Sequence, residues 1–340
     1  MSLPEADHEP TRPRKVAVLG PVPHDHVVTH RGEVFEKYGC VLYTVAALSA
    51  LLGPDDLVVP VVHVRKQDEE PIKEQWSHLA NVDSSLVRSH TDRGDLIELT
   101  YLDQNARQES QTGFMHPIVP GDVAAVVDAD AFVCVPISDY EVPSQTLAFL
   151  REYGTGTIML DGHGPTVSLT PGGARVRRIW LDRDAWLPNI DILKLNLEEA
   201  GCSWFPPPGS DMSRLGTPLT RDELPEFAAH CLGKGVQAVC VTLDAEGCAV
   251  YFRGPGGTME EHLVPPVPIP EVVDTTGCGD SFAAGMAFGY LASGDFVTAA
   301  RYGNAMGSQR ASGSDLSVYL DYAGTTGQIE AVYGGARVGA

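Results

Sequence analysis

The stretch Asp274-Thr-Thr-Gly-Cys-Gly-Asp-Ser-Phe-Ala-Ala-Gly285 is the most informative part of this 340-residue chain. It follows an extended, proline-punctuated run from 264 to 273 and opens onto an apolar helical pattern from 281 to 291. Two glycines therefore flank Cys278 where a loop passes into a helix. The first backbone amides of a helix have no acceptor within it, and the helix dipole is positive at this end. The sequence thus predicts an anion site here.

A carboxylate, Asp280, stands at the same place. An acid beside an anion is unfavourable unless it has a function, and accepting a proton from a hydroxyl next to a phosphoryl group is such a function. Two simpler interpretations stay open: Asp280 caps the helix, and Cys278 is a small buried cysteine. A thiol nucleophile is disfavoured, because no Cys/His/Asn arrangement can be read around Cys278.

The composition is that of a large soluble globular protein. Hydrophobic residues make up 43% and charged residues 20% of the chain, which is long enough to bury one large core. The net charge of −21 argues against nucleic acid as a partner, and no apolar run is long enough to cross a membrane. Seven cysteines without CxxC pairs predict a reducing, cytoplasmic environment rather than disulfides or a zinc cluster.

Apolar, β-rich runs alternate with helical patterns along most of the chain. Continuously apolar strands separated by helices predict an α/β fold with a mostly parallel central sheet and helices on both faces. The predicted strands are 15–19, 57–64, 131–135, 157–160, 192–195 and 238–242, and the predicted helices include 41–52, 72–79, 144–152, 224–232 and 281–291. Ligands of such sheets bind at the carboxyl ends of the strands, where the polar motifs lie.

Two polar segments, at about 27–38 and 86–114, interrupt this alternation. They are too polar for a central sheet, and a surface hairpin is the simplest interpretation of them. The main domain is predicted to span 15–320. Residues 1–14 are expected to be a flexible leader, and the Gly-rich residues 321–340 a loosely held tail.

Further acids and amides follow the predicted strands. Asp25 comes after strand 15–19, where its carboxylate could accept two hydroxyl donors of a polyol or could simply belong to a turn. Asp161, in Asp161-Gly-His163-Gly164, is a candidate substrate or metal residue, or a helix cap. Asn196 and Glu199 share one helix face and offer oxygens that suit Mg²⁺, although a helix capping box uses the same pair.

Taken in order, these motifs resemble those of the ribokinase/PfkB family of sugar and nucleoside kinases. Residues 274–285 are similar to the family signature DTxGAGD and depart from it at Cys278, where Ala is usual. The resemblance implies a ribokinase-like fold with a small β-lid and ATP-dependent transfer of the γ-phosphoryl group to a hydroxyl. It also implies that Asp280 is the base and that the amides of Gly277, Cys278 and Gly279 form the anion hole.

The resemblance implies further roles on the phosphoryl-donor side. Glu199 would position Mg²⁺ through water, and Asp274 and Thr276 match positions that hold a monovalent cation, here expected to be K⁺. Residues 242–247 resemble the element beside the ATP phosphates, with Asp244 in place of a usual Gly. The residues assigned to ATP and its Mg²⁺ are Asn196, Glu199, Thr242, Asp244, Gly247 and Asn304.

The acceptor side departs further from the family. In the block that usually reads GGxxxNxA, Gly39 fits, but Cys40 replaces the second Gly and Thr44 replaces the Asn. The acceptor is therefore predicted as a small sugar or polyol, and the alternatives are a nucleoside kinase or a non-catalytic sugar- or nucleotide-binding regulator. The lid is a possible homodimer contact. The residues assigned to the substrate are Asp25, Gly39, Cys40, Thr44, Arg107 and Asp161.

Overall fold

The structure is a computed structural model that describes residues 12–102, 107–205 and 212–334. Its strands are β1 (Lys15–Leu19), β2 (His24–Val28), β3 (Val34–Tyr38), β4 (Leu57–His63), β5 (Val87–Arg88), β6 (Leu96–Tyr101), β7 (Arg107–Gly113), β8 (Ala131–Cys134), β9 (Thr157–Asp161), β10 (Val167–Leu169), β11 (Arg175–Arg177), β12 (Ile192–Asn196), β13 (Ala238–Thr242), β14 (Cys248–Arg253) and β15 (Met259–Val264). Its helices are α1 (Val41–Leu51), α2 (Lys66–Trp76), α3 (Pro120–Val123), α4 (Ser144–Tyr153), α5 (Arg183–Trp186), α6 (Leu197–Ser203), α7 (Leu224–Gly233), α8 (Cys278–Ser293), α9 (Phe296–Ala311) and α10 (Tyr322–Tyr333).

A nine-stranded sheet is the centre of the described fold, in the order β15-β14-β13-β12-β9-β8-β1-β4-β5. Every neighbouring pair from β13 to β5 is parallel, and β14 and β15 extend the sheet as antiparallel strands. The central strands are buried on both faces because helices cover both. The predicted α/β class with a mostly parallel sheet is confirmed.

Side-chain alternation divides the core into two layers. In β1, Val16 and Val18 pack with α1, α8 and α9, whereas Ala17 and Leu19 pack with α4 and α7 on the opposite face. Within the described residues, no helix has both the length and the apolarity needed to span a bilayer. All seven cysteines are free thiols.

Helix α8 carries the 274–285 motif into the core. Gly277 precedes it with φ +81°, a left-handed conformation that favours glycine. A side chain at Gly277 would also overlap the ring of Tyr43. Further along α8, a Cβ at Gly289 would lie 2.8 Å from Cα of Ala299 in α9. Glycine at these positions therefore lets α8 pack closely against its neighbours and sets where the helix begins.

The two polar segments form one small sheet, in the order β3-β2-β6-β7. β2 pairs in parallel with β6, and the outer pairs are antiparallel. The apolar face, formed by Val27, Ile97 and Leu99, packs on Ile137 of the main domain. A small β-lid is thus present. The side chain of Arg107, a predicted substrate residue, lies outside the described part of the chain.

The prediction of a loosely held tail was wrong for residues 322–333. These residues form α10, whose first turn is capped by the Asp321 carboxylate accepting from the Gly324 amide at 2.8 Å. Thr325, Ile329 and Tyr333 are buried on its inner face. Tertiary burial of this face outweighs the low helix propensity of its two glycines.

The two chain termini are described only in part. Of the predicted leader, residues 1–11 lie outside the described residues. Arg14 is held against the carboxylate of Asp56, with Nη2 2.6 Å from Oδ2. Residues 335–340 also lie outside the described residues.

Candidate active site

A cavity of about 320 Å³ lies between the lid and the carboxyl ends of the parallel strands. This is the place where open parallel sheets bind ligands, because loops and helix starts meet there. It brings together ten of the residues predicted from the sequence: Asp25, Gly39, Cys40, Asp161, Asn196, Glu199, Thr276, Gly277, Gly279 and Asp280. The lid contributes Asp25 and two apolar residues, Ile97 and Leu99, to its wall.

Three charged side chains lie close together at the floor of this cavity, Asp161 and Lys194 buried and Asp280 half-buried. Nζ of Lys194 is 2.8 Å from Oδ2 of Asp161, and both side chains are almost fully buried. Burial, followed by the charge of Asp161, raises the pKa of Asp280 above its ordinary value, while Lys194 opposes the rise. A carboxylate with a raised pKa in a cleft is suited to accepting a proton at neutral pH.

Lys194 also belongs to the anion site at the start of α8. A Cβ at Gly279 would lie 3.0 Å from Nζ of Lys194, so the amine lies against the backbone of the glycine loop. Burial lowers the pKa of Lys194, but the charges of Asp161 and Glu199 outweigh it and raise the pKa above its ordinary value. Lys194 is therefore a cation beside the backbone amides that were predicted to form an anion site.

The two cysteines of the motifs are thiols and not nucleophiles. Burial raises the pKa of Cys278 to about 11. Burial, followed by the charge of Asp280, raises the pKa of Cys40 well above its ordinary value. Cys40 has φ +53°, a conformation that favours glycine, and its Sγ donates to the carbonyl of Val135 at 2.9 Å. A catalytic thiolate needs the opposite environment.

Thr44 was predicted to touch the substrate, but it lies behind the described cavity. It is fully buried in α1, and its Oγ1 donates to the carbonyl oxygen of Asp280 at 3.3 Å. Its position therefore supports the first turn of α8 and offers no surface to a ligand in this cavity.

Asn196 and Glu199 form a reciprocal capping box at the start of α6. Oδ1 of Asn196 accepts from the Glu199 amide at 2.8 Å, and Oε2 of Glu199 accepts from the Asn196 amide at 2.9 Å. Oε1 of Glu199 is 2.9 Å from Nδ1 of His163 and 3.5 Å from Nη2 of Arg177. Burial raises the pKa of Glu199, but the His163 hydrogen bond, then the charges of His163 and Lys194, lower it to about 2.

Both oxygens of Glu199 are thus engaged by the protein. Such a carboxylate suits a metal ion held through an intervening water, as predicted, better than a direct ligand. His163, which the sequence left without a role, orients this carboxylate.

The remaining residues predicted to bind ATP lie outside this cavity. Thr242 is the register partner of Asn196 in β13, and Asp244 is exposed in the following turn with φ +50°. Asn304 is buried, and its Nδ2 donates to the carbonyls of Val264 and Pro265 at 3.1 and 2.9 Å. Asn304, which was assigned to ATP from the sequence, therefore holds a backbone segment through its amide nitrogen.

Gly247 has a related structural role. It has φ +88°, and a Cβ at this position would overlap the carbonyl of Val264. Glycine is thus required where the turn after β13 meets the end of β15. This contact fixes the backbone and does not itself assign a ligand.

Comparison with known proteins connects this geometry to a family. A model described as the pfkB family carbohydrate kinase matches residues 179–318, which include the anion loop, Lys194 and Glu199. The 2-dehydro-3-deoxygluconokinase of Bacillus subtilis (strain 168) is 29% identical over 251 residues, which are 72% of this chain and 64% of that protein. The match thus spans less than two thirds of that relative's own length.

Solved structures give the same fold. Arabidopsis thaliana ribokinase, complexed with ribose and ATP, has a TM-score of 0.68 at 18% identity and covers 94% of this chain and 99% of its own. A sulfate complex of a pyrophosphate-dependent kinase in the ribokinase family has a TM-score of 0.68 at 20% identity, covering 87% and 95%. Residues 179–318 are thus similar to the pfkB family carbohydrate kinases, and the chain as a whole has the fold of the ribokinase-family structures.

The residues predicted to hold a monovalent cation are already engaged by other groups of the chain. Oδ1 of Asp274 accepts from the Thr276 amide at 2.9 Å, and Oδ2 accepts from Nη2 of Arg310, also at 2.9 Å. Nζ of Lys37 lies 3.8 Å from the same Oδ2. The fully buried guanidinium of Arg310 also donates to the carbonyl of Gly313. The carboxylate is thus already paired with cations of the chain itself.

Three further cationic residues near the site were not assigned to it from the sequence. Arg310 lies 36 residues from its partner Asp274, and no local pattern marks the pair. Arg175 lines the cavity from the short strand β11, where Nη1 donates to Oε1 of Gln111 at 2.7 Å. Lys194 lies within an apolar strand, and that position alone could have indicated a paired, functional charge.

Replacing Lys194 tests whether its positive charge compensates the acids at the floor of the cavity. Lys194→Met leaves Asp161 buried without its cation and removes the nearest positive charge from Asp280, so we expect the free energy of unfolding to fall by roughly 3–5 kcal/mol. The pKa of Asp280 is raised in the folded state and rises further in this variant, so folding takes up protons. The loss should therefore be largest near pH ~8 and smaller near pH ~5. Urea denaturation at both pH values measures it.

Lys234→Met is the matched control, because Lys234 pairs with Asp184 at an exposed site. This variant should change the free energy of unfolding by less than about 1 kcal/mol. Equal losses in both variants, or a loss in Lys194→Met that does not change with pH, would contradict the charge-balance argument.

Proposed function

We propose that this protein is a carbohydrate kinase that transfers the γ-phosphoryl group of ATP to a hydroxyl of a small sugar or polyol. The observation that carries the proposal is the place of Asp280. Its carboxylate is half-buried at the start of α8, beside the amides of Gly277 and Gly279, and shares a cavity with Asp25 of the lid. An anion site, a base and a group for binding hydroxyls are thereby supplied together.

In the proposed reaction, Asp280 takes the proton of the acceptor hydroxyl as the oxygen bonds to phosphorus. The raised pKa of Asp280 makes this transfer more favourable at neutral pH. The amides at the start of α8 and the ammonium of Lys194 stabilise the charge that develops on the transferred group. The lid excludes water, which would otherwise hydrolyse the donor.

Mg²⁺ bound to the nucleotide phosphates would neutralise part of their charge. The groups of this chain that would orient its water ligands are Asn196 and Glu199. Thr242 and Asp244, at the neighbouring strand end, would face the donor from the side away from the acceptor. We further propose that the enzyme works in the cytoplasm, in keeping with its free thiols.

The guanidinium of Arg175 bears on which class of acceptor the cavity can bind. Arg175 lines the cavity, although Oε2 of Glu109 lies 3.2 Å from its Nε. A neutral sugar or polyol leaves this pair intact, whereas a sugar acid could take the place of Glu109 at the guanidinium. The name of the Bacillus relative, 2-dehydro-3-deoxygluconokinase, favours including sugar acids among the candidates.

The proposal is tested with a substrate screen and one variant. Purified protein is assayed for phosphorylated product with ATP or pyrophosphate as donor and with sugars, polyols, sugar acids and nucleosides as acceptors. We expect turnover with ATP and a non-nucleoside carbohydrate. Asp280→Asn should lower kcat by a factor of about 10²–10⁴, because the general base is lost, while ATP affinity measured by calorimetry stays within a few-fold.

Asp315→Asn is a matched control, because Asp315 is an exposed cap outside the cavity. It should keep wild-type kcat. An Asp280→Asn enzyme with wild-type kcat would refute the base assignment. A folded protein that binds ATP and turns over no acceptor would favour the regulator instead, and turnover of nucleosides alone would favour a nucleoside kinase.

We also propose that Arg310 replaces the monovalent cation that the family resemblance implied. Its guanidinium joins Asp274 to the carbonyl of Gly313 and lies 4.7 Å from the ring centre of Tyr43, which in turn contacts Gly277. It therefore supports the loop that carries the anion hole. K⁺ has no vacant carboxylate to bind at Asp274.

Wild-type turnover should consequently be equal in KCl and in tetramethylammonium chloride. Arg310→Met should lower kcat by about 10–100-fold, as expected for losing a charge-assisted buried contact, and added K⁺ or guanidinium should restore part of it. Arg301→Met, on the same helix and stacked on Tyr333, is the control. Strong K⁺ activation of the wild type would contradict this role of Arg310.

We propose that the lid also forms a homodimer contact. Val34 and Phe35 are exposed by 59% and 45% on β3, the edge strand of the lid sheet. Exposed apolar side chains on an edge strand favour pairing with another strand. Light scattering should give a dimer for the wild type and a monomer for Phe35→Lys. A wild-type monomer at high protein concentration would disprove the contact.

A further inference from the structure

Three potential metal ligands meet outside the proposed active site. His63 ends β4, His90 follows β5, and Asp122 lies in α3, so three separate segments contribute one side chain each. One ligand atom from each residue can be chosen so that all three lie within 4.8 Å of one another. None of the three lines the cavity that contains Asp280.

The buried ring of His63 is the main reason to expect a bound ligand at this cluster. Its side chain is only 4% exposed, on the core face of the sheet that packs against Val123 and Ile118. Nε2 lies 3.0 Å from Oδ2 of Asp122, but the two atoms are not aligned as a hydrogen bond. Within the described residues, neither ring nitrogen of His63 has a hydrogen-bond partner. A buried imidazole without a partner is unfavourable unless another group satisfies it.

We propose that His63, His90 and Asp122 bind a divalent transition-metal ion of the Zn²⁺ class. Two imidazoles and one carboxylate are a donor set that such ions prefer, whereas Mg²⁺ prefers oxygen ligands alone. The ion would satisfy the buried ring of His63 and neutralise Asp122. Water would occupy the remaining position.

A third imidazole packs against the cluster without being one of the three ligands. The ring of His116 lies edge-on against that of His63, with the centroids 5.5 Å apart. Nδ1 of His116 donates to the carbonyl of Pro117 at 3.0 Å, which fixes the orientation of its ring. His116 therefore helps to hold the ring of His63 in place.

The position of this site in the chain gives it a structural role. His90 precedes β6 and Asp122 follows β7, so the two lid strands lie between them in sequence. An ion bound here would join both ends of the lid hairpin to the carboxyl end of β4. Closing a long segment in this way restricts the unfolded chain and the movement of the segment's ends. The metal is therefore a clamp at the root of the lid.

Metal binding to the full-length protein tests the proposal directly. Protein treated with EDTA and returned to buffer with excess MgCl₂ is titrated with ZnCl₂ or CoCl₂. Wild type should bind about one equivalent of Zn²⁺ and should melt about 5 °C higher when the ion is in large excess over its Kd. Co²⁺ should give the visible absorption bands of a nitrogen- and oxygen-ligated low-symmetry site.

His90→Ala removes a ligand that is itself exposed, so the variant should fold. It should weaken Zn²⁺ binding by at least about tenfold and abolish the Co²⁺ bands, as expected when a ligand is lost. His78→Ala, which removes another exposed histidine, is the matched control and should behave as wild type. Asp122→Asn serves as a second ligand variant if His90→Ala does not fold.

Two results would overturn the proposal. One is a wild-type protein that retains no Zn²⁺ after removal of excess metal and shows no change in melting temperature. The other is equal Zn²⁺ affinity and equal Co²⁺ bands in wild type and the ligand variants. Neither outcome depends on the enzymatic activity, because each readout is binding or stability.

Discussion

Lys194 and Asp161 are register partners in the parallel strands β12 and β9, and their side chains form a buried ion pair. The pairing of the two strands therefore also pairs the two charges. A buried carboxylate without a cation is costly, and Asp280 and Glu199 lie close enough for their charges to act on Lys194. Burial of Asp161 thus depends on one lysine, which the strand register brings next to it, and the same charge also acts on Asp280 and Glu199.

The other cationic side chains near the cavity are also paired with acids. Arg177 and His163 face Glu199, Arg175 faces Glu109, and Arg310 faces Asp274. In a chain with a net charge of −21, positive groups are scarce. Those near the cavity are each matched to an acid. Binding of an anionic donor can therefore rely on backbone amides and Lys194, without a basic surface.

Much of the fold could be predicted from the sequence because its signals are local. The strands 15–19 and 238–242 agree with the structure to the residue, since continuous apolar runs have sharp ends. The start of α2 at Lys66 was missed, because polar residues and Pro71 precede its apolar positions. Helix α10 was missed because glycines lower its propensity and only tertiary packing reveals its buried face.

The site could be predicted where a motif is contiguous and not where it depends on distant partners. Asp280 and Glu199 could be selected because each belongs to a motif that is contiguous in the sequence, and both line the cavity. The backbone contacts of Asn304 were missed, because the direction of its amide towards Val264 and Pro265 depends on how α9 packs on β15. No sequence pattern contains that information.

The guanidinium of Arg310 affects how the loop around Asp274 responds to the salts of the medium. Occupancy of a site by a metal ion from solution depends on the concentration of that ion and of its competitors. A side chain of the same protein has a constant effective concentration at its partner. The loop from Asp274 to Gly277 would therefore keep its shape when the salts of the medium change during osmotic stress. The same tether restricts variation, because a lysine could not reproduce the two-directional contact of the planar guanidinium with Asp274 and Gly313.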